Sequence, residues 1–188
     1  MLSVFSVSFG SVFLAEIGDK TQLLTLFLAA RFAQKYAIMI GMVLATLLNH
    51  ALSAWFGAWL HRFVSGDGML WITGIAFIAV GLWLLLPDKD DNDEQKLRYG
   101  ALLTTFTLFF LAEIGDKTQI ATVLLAARYD SIWTVTAGST AGLLAANIPV
   151  IYLGEKILRR LPMNKIRLAA CVAFCLIGLL ALLKILTG

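Results

Sequence analysis

The chain carries the stretch Ala15-Glu16-Ile17-Gly18-Asp19-Lys20-Thr21-Gln22 near its start, and 97 positions later it repeats it letter for letter as Ala112-Glu113-Ile114-Gly115-Asp116-Lys117-Thr118-Gln119. Both copies lie inside long apolar segments. An ionisable side chain at the centre of a membrane helix costs about 2.5–3.5 kcal/mol, so six of them would cost roughly 15–20 kcal/mol if all faced lipid. The repeat therefore predicts one buried polar site built from two halves.

The composition places the chain in a membrane. Of its 188 residues, 60% are hydrophobic and only 14% are charged, and the mean hydropathy is +0.84. These values are typical of an integral membrane protein with a lipid bilayer as its surroundings. The net charge of +3 does not indicate nucleic-acid binding, because the basic residues are scattered over short loops.

Six apolar runs are each long enough to cross about 30 Å of hydrocarbon as a helix. They cover residues 3–30, 36–60, 69–86, 100–127, 132–158 and 166–187. The first and fourth runs would be about 42 Å long as straight helices, so we expect them to be tilted or broken. The motif falls near the middle of each, where its glycine can loosen the helix. The sequence thus predicts an all-α integral membrane protein with six transmembrane helices.

The repeat extends beyond the motif. At the offset of 97, 16 of the 24 residues in 9–32 are identical to those in 106–129, and Gly41, for example, aligns with Gly138. Three helices are therefore duplicated, and an odd number of spans forces the second unit to enter from the opposite side. We predict two inverted three-helix repeats, 1–86 and 99–188, joined by an acidic linker at 87–98.

Loop charges predict the orientation. Ten basic residues fall on one side: Arg31, Lys35, Lys89, Lys96, Arg98, Lys156, Arg159, Arg160, Lys165 and Arg167. The other side has Arg62, Arg128 and Lys184. The positive-inside rule then places both termini outside and the central acidic loop in the cytoplasm.

The motif contains the groups that a hard divalent cation prefers. In a continuous helix Glu16 and Asp19 would lie on nearly one face, and Glu113 and Asp116 repeat the arrangement. Packing of the halves about a two-fold axis would bring four carboxylates together, and such oxygen donors suit Ca²⁺, Mn²⁺ or Mg²⁺. The two motif lysines bring the formal charge from −4 to −2, which balances one divalent cation.

Other polar side chains are candidates for supporting roles. Lys20 and Lys117 either neutralise the empty site or line the pathway. The remaining candidates for completing the coordination shell, relaying a proton or bonding between helices are Gln22, Gln119, Thr21, Thr118, His50 and Asn147. His50, beside Asn49 in the second span, is the repeat equivalent of Asn147. Asn49 and His50 are both expected to face Asn147.

The cluster must also survive without metal. Four like charges in a low dielectric repel one another, so some carboxylates should take up protons when the metal leaves. A site that exchanges metal for protons is that of a coupled exchanger. No cofactor is expected, since the metal is the substrate.

Four alternatives remain open. A structural ion network would pair Glu16 with Lys20 and Glu113 with Lys117. An intramembrane aspartyl protease also uses two embedded aspartates, but it would not duplicate a neighbouring lysine and glutamate; we expect no enzyme. In an exporter of amino acids or other organic cations, lysine rather than Mn²⁺ would compete with the transported cation. A passive channel would show a flux that does not respond to pH.

These residues resemble a known family. Two copies of Glu-x-Gly-Asp-(Lys/Arg)-(Thr/Ser), each in the first helix of a three-helix repeat, mark the Gdt family, also catalogued as uncharacterised protein family sixteen. The resemblance covers essentially the whole chain. It implies a cation/proton exchanger in which Glu16, Asp19, Glu113 and Asp116 bind the cation.

The short chain resembles the bacterial members of that family. The resemblance implies a multi-pass protein of the bacterial inner membrane that expels Mn²⁺, or Ca²⁺, from the cytoplasm in exchange for protons. The residues alone indicate only a hard divalent cation, and they leave the oligomeric state open.

Overall fold

The computed structural model describes residues 2–64, 67–85, 100–154 and 163–187. Within these ranges all regular structure is helical, as predicted. The eight helices are α1 Leu2–Glu16, α2 Lys20–Arg31, α3 Lys35–His61, α4 Asp67–Trp83, α5 Ala101–Glu113, α6 Lys117–Tyr129, α7 Ile132–Leu153 and α8 Met163–Thr187. The predicted acidic linker at 87–98 lies outside the described residues.

The first and fourth apolar runs are each broken into two helices, as their excess length predicts. The breaks fall within the two motifs, where Gly18 has φ +82° and Gly115 has φ +74°. Glycine adopts this left-handed backbone without the steric penalty that other residues meet. The axes of α1 and α2 differ in direction by 70°, so the chain changes course where the charged residues begin.

The helices differ in how well they match a bilayer. By length and composition, α3, α7 and residues 168–185 of α8 could each cross a membrane, and α1 with α2 could form a fourth, bent span. Helix α4, with 17 residues, would cover about 26 Å, and α5 has 13 residues. Several apolar helices therefore support a membrane protein, while the number of six spans stays a prediction.

Helices α4 and α8 cross closely at positions that the repeat relates. A Cβ built on Gly81 would lie 3.1 Å from Cys171 O, and one built on Gly178 would lie 2.6 Å from Gly74 O. The repeat relates Gly74 to Cys171 and Gly81 to Gly178, each 97 positions apart. The two contacts are therefore equivalent, with α4 and α8 exchanged. Because the later position of each helix meets the earlier one of its partner, α4 and α8 run antiparallel.

The remaining helices pair between the two predicted halves. A Cβ on Gly138 of α7 would lie 2.7 Å from Phe5 O of α1. The repeat-equivalent Gly41 of α3 would place its Cβ 2.5 Å from Leu102 O of α5. Gly41 is 97 positions before Gly138, and Leu102 is 97 positions after Phe5, so the repeat makes the two contacts equivalent. The two segments containing the motifs are therefore each held by a helix of the other half.

The packing also breaks this symmetry. Helix α4 packs against α6 and α8 packs against α1. Ile17 of the first motif is half-buried, whereas the equivalent Ile114 is 53% exposed. A Cβ on Gly57 of α3 would overlap Val123 O of α6, whereas no described atom lies within 4 Å of such a Cβ on the equivalent Gly154. Ile17 and Gly57 are thus packed more closely by their neighbours than the equivalent Ile114 and Gly154.

Candidate cation site

Each motif places a glutamate at the end of one helix and an aspartate immediately before the next. Glu16 ends α1 and Glu113 ends α5, whereas Asp19 and Asp116 are the N-cap residues of α2 and α6. The expectation that Glu16 and Asp19 share one face of a continuous helix is therefore wrong, because the glycine between them interrupts the helix. The aspartates instead stand at helix N-termini, where the helix dipole favours negative charge.

The motif glutamines stabilise the interruptions between the helices by hydrogen bonds. Gln22 Oε1 accepts a hydrogen bond of 2.8 Å from the amide of Gly18, and Gln119 Oε1 accepts one of 2.6 Å from Gly115. Gln22 also donates through Nε2 to Ala146 O at 2.9 Å. The glutamine oxygens therefore satisfy the glycine N–H groups that the interruptions leave without helical partners. Their predicted role as additional cation ligands stays a prediction.

The four motif carboxylates are buried. Glu16 and Glu113 have no exposed surface, and Asp19 and Asp116 are at most 4% exposed. One oxygen each from Glu16, Asp19 and Asp116 lies within 4.8 Å of the other two. These three predicted ligands are thus close enough to surround one cation, and they come from both copies of the motif. Among the described residues, Glu113 is not part of this group.

The motif lysines lie across the interface between the two copies. Lys20 Nζ is 3.3 Å from Asp116 Oδ1, and Lys117 Nζ is 3.2 Å from Asp19 Oδ1. Each ammonium thus contacts the aspartate of the other motif. The cross-pairing joins the halves electrostatically and keeps both positive charges beside the carboxylates.

The motif threonines orient the glutamates. Thr21 Oγ1 donates to Glu16 Oε2 at 2.5 Å, and Thr118 Oγ1 donates to Glu113 Oε2 at 3.1 Å. Among the described residues, Glu16 Oε1, Glu113 Oε1 and Asp116 Oδ2 are buried without a hydrogen-bond partner. Burying a carboxylate oxygen in this way is costly. These atoms are therefore suited to bind a ligand such as a cation.

The candidates outside the motifs lie in different surroundings. Asn147 Nδ2 donates to Glu16 Oε2 at 3.4 Å, and its Oδ1 accepts from Thr25 at 2.9 Å. Thr25 thus contacts the site through Asn147, and its repetition as Thr122 at the offset of 97 is the sequence signal that points to it. His50 is fully buried, and its Nδ1 lies 3.4 Å from Thr140 Oγ1.

Asn49 does not make the contact expected for it. Its amide donates to Phe110 O of α5 at 3.1 Å, whereas it was expected to face Asn147. The side chain therefore joins α3 to α5, beside the second motif. This is a bond between helices of the two predicted halves, which is one of the roles foreseen for the polar groups of this span.

Access to the site differs between the two copies. The Lys20 side chain is 29% exposed, whereas that of Lys117 is 4% exposed. Gly18, Leu84 and Ala170, among others, line a small cavity beside Asp19 and Lys117. The same chemical groups are thus covered differently by their neighbours, although the two motifs are identical.

Facing carboxylates at breaks in apolar helices define a class of protein, because ion-transporting membrane proteins bind their substrates at discontinuous helices. The comparison with known families agrees. The chain belongs to the family described as "Divalent cation/proton antiporter GDT1", whose model matches residues 4–92 and 101–188. The resemblance predicted from the paired motifs is confirmed, and the family is one of transporters rather than enzymes.

Individual relatives span nearly the whole chain. A Vibrio cholerae protein named "Putative manganese exporter" is 43% identical over 180 residues, which cover 95% of this chain and 90% of the relative. A GDT1-like protein of Synechocystis is 26% identical over 96% of the chain and 97% of its own length. GDT1-like protein 5 of Arabidopsis thaliana is 27% identical over 97% of the chain and 96% of its own length. No solved structure matches the chain.

Proposed function

We propose that this protein is a secondary transporter that exports Mn²⁺ from the cytoplasm in exchange for protons, with Ca²⁺ as a further candidate substrate. The convergence of buried carboxylates from both motifs carries the proposal. The family description supports a divalent cation and a proton as substrates. Manganese and the direction of transport rest on the name of the Vibrio cholerae relative.

Glu16, Asp19, Glu113 and Asp116 are the proposed cation ligands. Carboxylate oxygens are hard donors that suit Mn²⁺, Ca²⁺ and Mg²⁺. The two motif lysines lie against the aspartates and offset half of the four negative charges. The arriving divalent cation supplies the remaining two positive charges, so a single ion would neutralise the site.

Protons would take the place of the departing cation. With both lysines in position, the empty site has a formal charge of −2 in a buried setting, and like charges at close range favour protonation of some of the carboxylates. Protons entering from outside would therefore release the metal there, and cation binding from the cytoplasm would displace them. This exchange is the coupling that an antiporter requires.

The contacts between helices support two inverted repeats, 1–86 and 99–188. In particular, α4 and α8 occupy equivalent places in the two units and run antiparallel, with Gly81 and Gly178 in matching contacts. An antiparallel pairing of equivalent elements is what a two-fold axis in the membrane plane produces. The site would then lie at the centre of the bilayer.

The unequal packing of the halves supports alternating access. The α4–α8 pair packs against α6 and α1, and Leu84 and Ala170 line a small cavity together with Ile17 and Gly18 of the first motif, while Ile114 of the second motif is exposed. A two-fold partner state would have the pair against α5 and α2 and would cover Ile114 instead of Ile17. Rocking between the two arrangements would expose the cation site to one side of the membrane at a time.

The proposed location is the inner membrane of a bacterium. The excess of basic residues in the first, third and fifth loops would place these loops in the cytoplasm and both termini outside. The 87–98 linker would then be cytoplasmic. Reporter fusions at the linker and at the C-terminus would test this orientation.

Transport by purified protein in vesicles tests the function. Vesicles containing a pH-sensitive dye are exposed to Mn²⁺, Ca²⁺ or Mg²⁺, and we expect Mn²⁺ entry to be accompanied by proton release. Metal flux that moves no protons and ignores a pH gradient would contradict exchange and favour a channel. If lysine rather than Mn²⁺ competes with the transported cation, the result would favour an exporter of organic cations.

Two substitutions test the site, and one serves as a control. We expect Glu16→Gln and Asp116→Asn each to abolish manganese tolerance in cells and flux in vesicles, with normal membrane insertion. Asp130→Asn removes an exposed carboxylate at the end of α6; since asparagine tolerates the left-handed backbone found there, flux should persist. Retained tolerance in either site variant would contradict the assignment.

A further inference from the structure

We propose that His50 supplies a nitrogen ligand on the Glu113 side of the cation site and thereby favours Mn²⁺ over Ca²⁺ and Mg²⁺. This inference rests on the proposed function and concerns the choice of metal, which four carboxylates alone do not decide. It begins from a chemical difference between two positions that the repeat makes equivalent, since adding 97 to His50 gives Asn147.

The surroundings of the first motif show what the equivalent position does. Asn147 lies beside Glu16, to whose Oε2 it donates a hydrogen bond, while Thr21 donates to the same oxygen. In the second half Thr118 donates to Glu113 in the corresponding way. The helix contacts repeat as well, because Gly41 of α3 approaches Leu102 of α5 as Gly138 of α7 approaches Phe5 of α1. The repeat therefore relates His50 to Glu113 as it relates Asn147 to Glu16.

The corresponding hydrogen bond to Glu113 of the second motif is not made. His50 Nε2 and Glu113 Oε1 are both buried without a hydrogen-bond partner among the described residues. A fully buried imidazole nitrogen and a fully buried carboxylate oxygen are each costly to leave unsatisfied. A cation bound by both atoms would satisfy them together, whereas Asn147 needs no such ligand because its amide already has partners.

The contacts of the ring suit a metal ligand. His50 Nδ1 lies 3.4 Å from Thr140 Oγ1. With the ring proton on Nδ1, that N–H donates to the hydroxyl and the Nε2 lone pair stays available for a cation. Metal-binding histidines almost always donate their second ring nitrogen in this way, which fixes both the tautomer and the ring orientation.

A nitrogen ligand changes the preference of the site. Ca²⁺ and Mg²⁺ are bound in proteins almost entirely by oxygen, whereas imidazole is a ligand of first-row transition ions. Mn²⁺ binds carboxylate oxygen and, as a transition ion, also accepts imidazole nitrogen. A site with four carboxylates and one imidazole nitrogen therefore gains affinity for Mn²⁺ relative to both alkaline-earth ions. His50→Asn would give the two halves the same side chain at this position and leave the site without nitrogen.

The test compares metals rather than total activity. In vesicles, we expect His50→Asn to keep cation/proton exchange but to reduce the preference for Mn²⁺ over Ca²⁺, expressed as the ratio of kcat/KM values, by about tenfold. The matched control is His61→Asn, which removes a half-buried imidazole from the end of α3 and should leave the ratio unchanged. An unchanged ratio in a folded His50→Asn protein overturns the proposal, because a histidine that only fills the core would alter stability alone.

A spectroscopic measurement on the wild-type protein gives an answer even if the variant does not fold. Pulsed electron paramagnetic resonance of bound Mn²⁺ should detect coupling to an imidazole nitrogen, with the signal retained in His61→Asn. Bound Mn²⁺ without that coupling overturns the inference while leaving the proposed function intact. Failure of the wild-type protein to bind or move any divalent cation would instead refute the proposed function itself.

Discussion

Lys117 Nζ lies 3.2 Å from Asp19 Oδ1, although the two residues are 98 positions apart in the chain. Both side chains are almost completely buried. Lys20 and Asp116 form the corresponding contact in the opposite direction, at 3.3 Å, with the lysine partly exposed. The two contacts have the same chemistry and different surroundings, so they allow the energetic effect of burial to be measured within one protein.

Lys117→Gln should destabilise the protein more than Lys20→Gln. Removing one partner of a buried ion pair costs about 3–5 kcal/mol, because the other charge is left uncompensated, whereas solvent screens a partly exposed pair. Thermal unfolding of both variants in the same detergent, without divalent cations, measures the difference. Equal losses of stability would mean that the unequal exposure of the two lysines has no energetic effect.

Thr21→Val should weaken cation transport at low Mn²⁺. The variant loses the hydroxyl that donates to Glu16 Oε2 at 2.5 Å, and a hydrogen bond to a charged group contributes about 1.5–3 kcal/mol. We expect the Mn²⁺ concentration for half-maximal flux to rise about tenfold or more. Thr21→Ser keeps the hydroxyl and should transport almost normally; a serine variant as impaired as the valine variant would point to packing rather than to the hydrogen bond.

Gly41→Ala should destabilise the contact between α3 and α5. The added Cβ would lie 2.5 Å from Leu102 O and 2.9 Å from Thr105 Cβ, so the helices would have to separate, at a cost of about 1–3 kcal/mol. Gly10→Ala is the control, because no described atom lies within 4 Å of its Cβ. Unfolding temperatures would distinguish them, and a Gly41→Ala protein as stable as the control would contradict the close approach.

Gly81→Cys should form a disulfide with Cys175 under oxidising conditions. A Cβ at this position would lie 3.1 Å from Cys175 Sγ, which is about the Cβ-to-sulfur separation across a disulfide. The experiment uses a Cys171→Ala background, and adding Cys175→Ser should abolish the cross-link seen by mass spectrometry. We expect the cross-linked protein to retain flux, because α4 and α8 are proposed to move as one pair; failure to cross-link would contradict their antiparallel contact.

The repeated motif predicted the location of the site and the interruption of its helices. The glycines in the motif were recognised as points where a helix could loosen, and Gly18 and Gly115 adopt the left-handed backbone there. The cross-pairing of the lysines was not predicted. Helical periodicity identifies neighbours only within one helix, and Glu16 and Lys20 belong to different helices once the chain bends.

The unequal covering of the two motifs also could not be read from the sequence. Identical residues give identical expectations, yet Ile17 is half-buried and Ile114 is exposed. Among the described residues, the α4–α8 pair packs mainly against α6 and α1 and not to the same extent against the equivalent α2 and α5. A repeated sequence specifies contacts that either copy can make, and packing decides which copy makes them.

The lysine–aspartate contacts also bear on how such a protein could have originated. A chain with a single three-helix unit would have one motif lysine and one motif aspartate, but it could form the contacts seen between Lys117 and Asp19 only with a second copy. In the proposed arrangement that copy must run the other way through the membrane. A half-length ancestor would therefore have worked as a pair of molecules inserted in opposite orientations, and fusion of the two would have fixed their ratio at one to one.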